Sequence, residues 1–150
     1  MNNQVENNNQ YVIFKLHKED YGIPIHYVEI IEKVTEITRV PNAPYYIQGV
    51  INLRGEVVPV LDLRKRFQFP PMSLTEESRV IILSVDEMIV GILVDSSSEV
   101  LTIEAETIDH ASSLITTFED DYINGIGKVN DRMIIMVDVP KILGISLGGN

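Results

Sequence analysis

The side chains that most often carry out chemistry in enzymes are few in this chain and form no recognisable set. Its three histidines, His17, His26 and His110, are widely separated, and no two are one helical turn apart, as paired metal ligands often are. The chain has no cysteine, which excludes thiol nucleophiles, disulfides and thiolate metal sites. We therefore expect no metal and no cofactor.

Acidic residues give the one arrangement that suits acid–base catalysis. Glu104, Glu106 and Asp109 lie close together in the sequence and could supply a pair of carboxylates. They fall in a polar turn of an acidic region, where a solvated surface is the simpler interpretation. Gly91 and Gly125 are isolated, so they form no phosphate-binding loop. The sequence predicts a protein that is not an enzyme, and a cofactor-free hydrolase stays as a remote alternative.

The net charge of −10 is carried by the second half of the chain. Residues 1–72 contain 8 Lys/Arg and 8 Asp/Glu, whereas residues 73–150 contain 4 and 14. Nucleic acid and anionic lipid are poor partners for such a chain. The excess charge either keeps the protein in solution or steers a basic protein partner, and the sequence leaves both open.

The apolar runs and the N-terminal segment predict no membrane anchor. Residues 1–10 are polar and rich in Asn and Gln, so we expect a disordered N-terminus rather than a signal peptide. No apolar run approaches the ~20 residues that a helix needs to cross a bilayer. Direct membrane insertion is therefore not expected, and the lack of cysteine is compatible with a cytoplasmic location.

The sequence repeats itself at an offset of 76 residues, without a gap. Residues 46–65 align with residues 122–141. More loosely, residues 12–14 and 21–23 resemble residues 80–82 and 90–92. Repetition of a hairpin-like segment predicts two similar β modules. A duplicated β architecture favours a binding surface over a catalytic pocket.

Short strands with turn signals between them account for most of the chain. Four hairpins are predicted, which join residues 11–17 with 21–25, 50–53 with 56–61, 79–85 with 88–94, and 126–129 with 132–137. Residues 34–40 and 99–103 are predicted as further strands. A count of about five strands per half predicts an all-β fold of two small barrels.

Short helices are predicted between these strands. Residues 26–33 change to a helical period, which places Val28 and Ile31 on one side of a helical turn or two and Ile30 off the buried side. Asp62 can cap a second short helix, and Asp138 precedes a third that ends near Gly144.

The predicted domain organisation is a single domain over residues 11–150, made of two subdomains. These subdomains cover approximately residues 11–72 and 73–145, and exchange of a strand between them is left open. Barrels of about 70 residues are marginally stable alone. We therefore expect the two to share a hydrophobic interface.

The two copies of the repeat differ at one hairpin turn. Asn130-Asp131 in the second copy is ordinary turn chemistry, whereas the first copy has Arg54-Gly55. Gly55 supplies a left-handed residue, and Arg54 places a guanidinium with its fixed set of donors beside it. The sequence leaves open whether Arg54 forms an intramolecular salt bridge or orients a surface for a partner.

Residues 49–63, which read Gly-Val-Ile-Asn-Leu-Arg-Gly-Glu-Val-Val-Pro-Val-Leu-Asp-Leu, resemble the CheW family of bacterial chemotaxis coupling proteins. Residues 21–25, 28–31, 90–95 and 122–126 fit the same family. The resemblance covers roughly Gln10 to Leu143. It implies two tandem five-stranded SH3-like β-barrels with short helices, in agreement with the duplicated pattern.

This resemblance implies a non-enzymatic scaffold. CheW-like proteins couple the cytoplasmic tips of methyl-accepting chemoreceptors to the regulatory domain of the histidine kinase CheA, in arrays associated with the membrane. These two proteins are therefore the expected partners, and the cytoplasm is the expected location. A CheW-like scaffold of a two-component pathway other than chemotaxis is the alternative, and the sequence does not distinguish the two.

The resemblance also implies which residues meet each partner. The residues expected to line a receptor-binding groove between the barrels are Ile25, Val28, Ile30, Ile31, Arg54, Ser97 and Val100. The residues expected to bind the kinase lie in two places and are Val40, Tyr45 and Tyr46, and Asp109 and Leu114. Gly49 and Gly55 are expected to meet backbone requirements of turns rather than to contact a partner. The apolar residues among them could instead complete a core, and the sequence leaves that open.

Overall fold

The computed structural model of the chain describes residues 9–110 and 122–144. The strands in these residues are β1 (Gln10–Leu16), β2 (Glu19–Pro24), β3 (Val28–Lys33), β4 (Ile47–Leu53), β5 (Glu56–Asp62), β6 (Arg79–Val85), β7 (Met88–Val94), β8 (Ser96–Thr102), β9 (Ile108–Asp109), β10 (Ile123–Val129) and β11 (Arg132–Val137). The helices are α1 (Leu63–Arg66), α2 (Val139–Leu143) and two 3-10 turns, Ile25–Tyr27 and Ala105–Thr107. The prediction of a mostly β chain with short helices is confirmed.

The described residues fall into two compact units that alternate along the chain. One contains residues 14–18 and 27–97, and we call it the central unit. The other contains residues 9–13, 19–26, 98–110 and 122–144, and we call it the terminal unit. The predicted boundary between residues 72 and 73 therefore lies inside the central unit.

Five strands form the sheet of the central unit, in the order β3-β6-β7-β5-β4. β6 and β7 pair antiparallel from Arg79 opposite Val94 to Val85 opposite Met88. β5 joins this hairpin as a parallel neighbour of β7. The core of the unit is a cluster of buried apolar side chains, which are Ile51, Val58, Val60, Val80, Ile82 and Leu93. β-Branched residues dominate it because they pack well on a pleated surface.

The other sheet has six described strands, in the order β8-β1-β2-β11-β10-β9, one more than was predicted for each barrel. The additional strand is the two-residue β9, which pairs with β10. In the central unit the corresponding contact is an isolated bridge between Thr38 and Val50. Residues 34–40 are therefore not the strand that their alternating pattern predicts. The core cluster of the terminal unit contains Ile13, Ile103, Ile134 and Met136.

The two halves of the sequence repeat form equivalent hairpins. β4 and β5 pair antiparallel, as do β10 and β11. Each hairpin attaches through a parallel contact to the second strand of another hairpin, with Val60 opposite Gly91 and Ile135 opposite Tyr21. The predicted duplication of a β module is thus present in the strand pairing itself.

Two glycines at equivalent positions of the repeat allow the backbone to approach these hairpins closely. A Cβ atom on Gly49 would lie 2.3 Å from the carbonyl oxygen of Thr38, and one on Gly125 would lie 2.7 Å from that of Asp109. Gly49 also has a positive φ of 154°. Both positions therefore exclude any residue with a side chain, since the obstructing atoms belong to the backbone.

Residues 28–33 form strand β3, so the helix predicted over residues 26–33 is wrong apart from the 3-10 turn Ile25–Tyr27. β3 alternates between half-buried and exposed residues and pairs antiparallel with β6, with a register shift between Val28 and Ile30. The pattern misleads because Ile31 is apolar yet 37% exposed. An apolar residue on the solvent face of a strand breaks the two-residue period and imitates a helical spacing.

The capping predictions are confirmed by the hydrogen bonds of α1 and α2. The Asp62 side chain accepts from the backbone N–H groups of Arg64 and Lys65, and the Asp138 side chain accepts from that of Lys141. Gly144 ends α2 in the left-handed conformation at φ 75°. These contacts satisfy backbone donors and acceptors that have no partner inside such short helices.

The predicted disordered segment, residues 1–10, is only partly within the described residues. Residues 1–8 lie outside them. Gln10 begins β1, and the carbonyl oxygen of Asn9 accepts a hydrogen bond of 2.8 Å from the backbone N–H of Ile103. Asn9 and Gln10 are therefore ordered, which corrects the prediction at these two positions.

Gly49→Ala should destabilise the protein strongly. The new Cβ atom would meet the Thr38 carbonyl at 2.3 Å in a backbone conformation that alanine disfavours. We expect the free energy of unfolding to fall by about 2–4 kcal/mol, measured by urea denaturation. Gly55→Ala is the matched control, because Gly55 has φ 88° and a Cβ atom there would meet nothing within 4 Å beyond its chain neighbours. It should cost about 1 kcal/mol, and equal losses in the two variants would contradict the close-approach explanation.

Candidate partner-binding surfaces

The β3 residues expected to bind a receptor point in two directions. Val28 and Ile30 are half-buried, and Ile30 packs against the core cluster of the central unit. Ile31 is exposed and lies between the neighbouring exposed residues Glu29 and Lys33. The prediction that Ile30 lies off the buried side is therefore wrong, because β3 is a strand and Ile31 occupies its solvent face.

The other residues of the expected groove, apart from Arg54, lie at the start of a 3-10 turn and on the edge strand β8. Ile25 begins the 3-10 turn after β2 and is half-buried. Val100 lies on β8 and is 47% exposed. Ser97, also on β8, is half-buried. Within the terminal unit, Val100 is thus the expected receptor residue that is open to a partner.

Arg54 lies at the tip of the hairpin formed by β4 and β5. Arg54 and Gly55 both have left-handed backbone, with φ 54° and 88°, as the two-residue type I′ turn requires. The Gly55 N–H donates a hydrogen bond of 2.9 Å to the Asn52 side-chain oxygen. No salt bridge joins Arg54 to another described residue. The exposed guanidinium is therefore available to a partner.

Backbone strain at Arg54 is not by itself a functional signal. Positive φ also occurs in the turn between β1 and β2, at His17 and Lys18, and in the turn between β6 and β7, at Asp86 and Glu87. Left-handed residues other than glycine are thus a general property of these hairpins. What distinguishes Arg54 is the exposed charge that it places on the turn.

Two residues of the first expected kinase-binding group line a pocket in the central unit. Val40 and Tyr45 are 43% and 62% exposed and line an open pocket of ≈ 460 Å³. Arg39 and Lys65 also line it, so its walls carry two cations. The side-chain oxygen of Gln48, another lining residue, is buried and has no hydrogen-bond partner among the described residues.

Tyr46 has a different environment from Tyr45. It is half-buried, and the guanidinium carbon of Arg66 lies 4.1 Å from its ring centroid. This distance is within the range of a cation–π interaction. The two tyrosine rings pack edge to face with their centroids 5.4 Å apart. Tyr46 therefore packs against Tyr45, which lines the pocket, and its ring is covered by Arg66.

The second group of expected kinase-binding residues is only partly described. Asp109 is exposed and lies on β9, at the edge of its sheet. Its carbonyl oxygen lies over Gly125. Leu114 lies outside the described residues. The strand pairing therefore places Asp109 at a sheet edge and leaves Leu114 as a prediction.

A largely buried ion pair lies beside α1 in the central unit. Arg64 Nε donates to Asp95 Oδ1 at 2.9 Å, and the terminal NH2 of Arg64 donates to Asp95 Oδ2 at 2.8 Å. The two side chains are only 12% and 18% exposed. Arg64 also donates to the carbonyl oxygen of Pro70 at 2.6 Å, and the His17 N–H donates to Asp95 at 2.9 Å. The pair joins α1 to the end of β7, the β1–β2 turn and the segment before β6.

The protonation of Asp95 reflects two opposing effects. Burial alone would raise the pKa of this carboxyl, because it removes water from the charged form. Hydrogen bonds from the Arg64 side chain and the His17 backbone outweigh burial and hold the pKa of Asp95 below its ordinary value. The same contact with Asp95 raises the pKa of Arg64.

Net charge is distributed unevenly between the two units, as it is between the two halves of the sequence. With the unit boundaries applied to the whole sequence, the terminal unit has 3 Lys/Arg against 12 Asp/Glu, a net charge of −9. The central unit has 9 against 10, a net charge of −1. The cations of the pocket and of the β4–β5 turn thus belong to the nearly neutral unit.

Two of the histidines weighed for catalysis make separate local contacts in the described part of the chain. The His17 ring stacks on Phe69 at 4.8 Å between centroids, and His110 Nδ1 lies 3.1 Å from the carbonyl oxygen of Asn124. No group of three or more His, Cys, Asp or Glu side chains there could hold a metal ion. No helix in the described part of the chain is long and apolar enough to span a membrane.

Comparison with known families shows which family the chain belongs to. The family described as the CheW-like domain matches residues 10–146. The chain belongs to the CheW-like family. This CheW-like chain is 41% identical to the chemotaxis protein CheW of Klebsiella aerogenes over 134 residues. The aligned region covers 89% of this chain and 81% of that protein. The chain is also 35% identical over 143 residues to the chemotaxis protein CheW of Bacillus subtilis, with coverage of 95% and 92%.

A solved structure supports the same assignment. The scaffolding protein TtCheW from Thermoanaerobacter tengcongensis superposes on this CheW-like chain with a TM-score of 0.83 and 34% sequence identity, over 92% of this chain and 94% of that one. Membership of the family confirms the predicted resemblance and the predicted fold class. It also identifies a non-catalytic adaptor of chemotaxis, so the prediction that the chain is not an enzyme is confirmed.

Sequence reasoning missed the side chains that support these surfaces. Arg39 and Lys65 line the pocket, but no motif marks them. Arg66 contacts Tyr46 across the two strands β4 and β5 and the turn between them. The sequence marks Asp95 only through the family pattern. The one sequence signal that could have located some of these side chains is the cap at Asp62, because it predicts the short helix that carries Arg64, Lys65 and Arg66.

The Arg64–Asp95 pair should make stability depend on pH in a defined range. Because the folded pKa of Asp95 is lowered, the contribution of the pair is fully present above the unfolded pKa of about 3.9 and is lost as pH falls toward the folded value. Asp95→Asn leaves Arg64 without its carboxylate and should lower the free energy of unfolding by about 2–3 kcal/mol at pH 7.

The measurement is chemical denaturation of both proteins between pH 7 and pH 3. The difference between wild type and Asp95→Asn should stay constant from pH 7 to about pH 5 and then shrink. Asp131→Asn, at an exposed turn residue, is the control and should differ little from wild type throughout. A difference that persists unchanged at pH 3 would contradict the ionic role of Asp95.

Proposed function

We propose that this chain couples chemoreceptors to a CheA-type histidine kinase, by binding the receptor cytoplasmic tip and the kinase regulatory domain in signalling arrays. The observation that carries the proposal is the family match across residues 10–146, with relatives named chemotaxis protein CheW over most of their length. The proposed location is the cytoplasm, at receptor arrays next to the membrane. The chain itself supplies binding surfaces and no chemistry.

Each unit is proposed to contribute exposed apolar side chains to receptor binding, on β3 in the central unit and on β8 in the terminal unit. Ile31 in the central unit and Val100 in the terminal unit each offer an isolated apolar side chain to solvent. A helical receptor tip presents apolar residues at regular intervals, and burial of such anchors drives helix recognition. Ile25, Val28, Ile30 and Ser97 are half-buried, so the proposed role of each is to support receptor binding within its own unit.

Arg54 is proposed to contribute to the control of kinase activity by the receptor. β3 and β4 are the two edge strands of their sheet, so the Arg54 turn does not adjoin Ile31 through strand pairing. The segment after β3 returns to β4 through the bridge between Thr38 and Val50. An exposed guanidinium can recognise a carboxylate on a partner through two parallel hydrogen bonds.

The kinase-facing surface is proposed to include the pocket lined by Val40 and Tyr45. Exposed aromatic and apolar side chains around a concavity are typical anchor sites for a protein partner. Arg39 and Lys65 favour an acidic group on that partner, and the Gln48 oxygen can accept a hydrogen bond from it. Asp109, with Leu114 as a further prediction, is proposed to form a second kinase contact on the terminal unit.

Titration of the purified chain with the CheA regulatory domain and with a receptor tip fragment tests the proposal. Saturable binding to each partner is expected. Ile31→Lys should weaken receptor binding at least about 10-fold, because it puts a charge where an apolar contact is proposed. It should leave the kinase affinity and the unfolding free energy nearly unchanged, since the side chain is exposed.

Met88→Lys is the matched control for Ile31→Lys. Met88 is an exposed apolar residue of the same unit, 42% exposed against 37% for Ile31, and it has no proposed partner. It should bind both partners normally. Failure of the folded wild-type chain to bind either partner would refute the proposed function, and equal weakening by the two variants would refute the β3 surface.

Arg54→Asn separates the charge of Arg54 from its turn conformation. Asparagine tolerates the left-handed backbone better than arginine, so the free energy of unfolding should rise by about 0.5–1 kcal/mol. Receptor-dependent control of kinase activity should nevertheless fall, because the guanidinium is lost. The measurement is kinase autophosphorylation in reconstituted ternary complexes, with and without receptor.

Asp86→Asn is the control for the turn, since Asp86 has φ 50° in the hairpin between β6 and β7. It should also retain or raise stability, and it should leave receptor control intact. Normal control of the kinase in the Arg54→Asn complexes would remove Arg54 from the proposed surface.

A further inference from the structure

The strand that carries Val100 lies at the edge of its sheet. β8 is the last strand of its sheet and pairs only with β1 among the described strands. Just beyond β8, the Ile103 N–H donates to the carbonyl oxygen of Asn9 at 2.8 Å. An edge strand has one unpaired backbone side, so side-chain contacts decide how firmly it keeps its position.

Arg132 supplies such a contact within the terminal unit. One terminal nitrogen of its guanidinium donates to Glu99 Oε2 at 2.7 Å, and the other lies 3.3 Å from Glu99 Oε1. The first nitrogen also donates to Asp20 Oδ2 at 3.1 Å. Arg132 begins β11, Asp20 belongs to β2 and Glu99 belongs to β8. One side chain thus bridges two strands from a third.

Alternation along β8 links this bridge to Val100. Leu101 packs against the core cluster, and Glu99, two residues earlier, lies on the same side of the strand. Val100 lies between them on the opposite side and is exposed. Holding Glu99 from the inner side therefore fixes the direction in which Val100 faces outward.

Electrostatics make this bridge hard to replace. Arg132 is one of only 3 Lys/Arg in the terminal unit, against 12 Asp/Glu. Both carboxylates raise the pKa of Arg132, Glu99 more than Asp20. Without the guanidinium, Asp20 and Glu99 would repel each other across the gap it now fills. Loss of Arg132 should therefore push β8 away from β2 rather than merely remove one contact.

We propose that Arg132 is a positioning residue for receptor binding, which acts by holding β8 so that Val100 faces the receptor. Arg132 itself does not touch the receptor. The inference rests on the proposed function, because it assigns Val100 to the receptor-facing surface.

The test is Arg132→Gln in the full chain, titrated with the receptor tip fragment and with the kinase regulatory domain. Receptor affinity should fall about 3- to 10-fold, and binding through the pocket of the central unit should be unchanged. Hydrogen exchange should be faster at the amides of residues 99–102 than in wild type. Arg132→Glu combined with Glu99→Arg should bind the receptor better than Arg132→Glu alone, because the exchanged charges can pair again.

Ile142→Val is the control for general destabilisation of the terminal unit. Ile142 is fully buried on α2, and its truncation should lower stability without changing receptor affinity. Equal losses of receptor affinity in Ile142→Val and Arg132→Gln would overturn the positioning role. Unchanged receptor affinity in Arg132→Gln, with a wild type that binds, would also overturn it. A wild type that binds no receptor would refute the proposed function instead, and the inference with it.

Discussion

The ion pair of Arg64 and Asp95 organises the central unit. Two charges that are 12% and 18% exposed lose most of their hydration. Their paired hydrogen bonds compensate for that loss, together with the bonds to the Pro70 carbonyl oxygen and from the His17 N–H. Such a pair tolerates little movement, so it fixes whatever is attached to it. α1 is attached through Arg64, and it carries Lys65 at the pocket and Arg66 against Tyr46. The geometry of the proposed kinase surface therefore depends on this ion pair through α1.

Duplication explains why the two units share the same arrangement of hairpins. In each, a hairpin of the repeat joins a second hairpin through one parallel contact. In each, a short edge segment passes over a glycine at the same position of the repeat. The two copies differ in the charges that they present. A cationic turn residue, Arg54, stands in the central unit where the terminal unit has Asn130, and the acidic charge is concentrated in the terminal unit.

Local signals in the sequence are sufficient for the hairpins, the two caps and the repeat, because each depends on residues close together in the chain. That residues 28–33 form a strand rather than a helix is not predictable in this way, because the exposed Ile31 disturbs the alternating pattern. Only the pairing of β3 with β6 shows that the segment is a strand. The division into units and the contact of Arg132 with Asp20, 112 residues away, depend on tertiary pairing that no local pattern encodes. Family resemblance named the candidate surfaces, but burial was needed to separate Ile31 from Ile30.

The parallel contact between β2 and β11 has a consequence for the order in which the chain folds. All the strands of the central sheet lie within residues 28–94, so that sheet can close while later residues are still being synthesised. β2 must wait for β11, more than a hundred residues downstream, before its sheet is complete. Contacts of such long sequence separation close slowly. On the ribosome, the terminal unit is therefore the last to form and the part most exposed to misassembly.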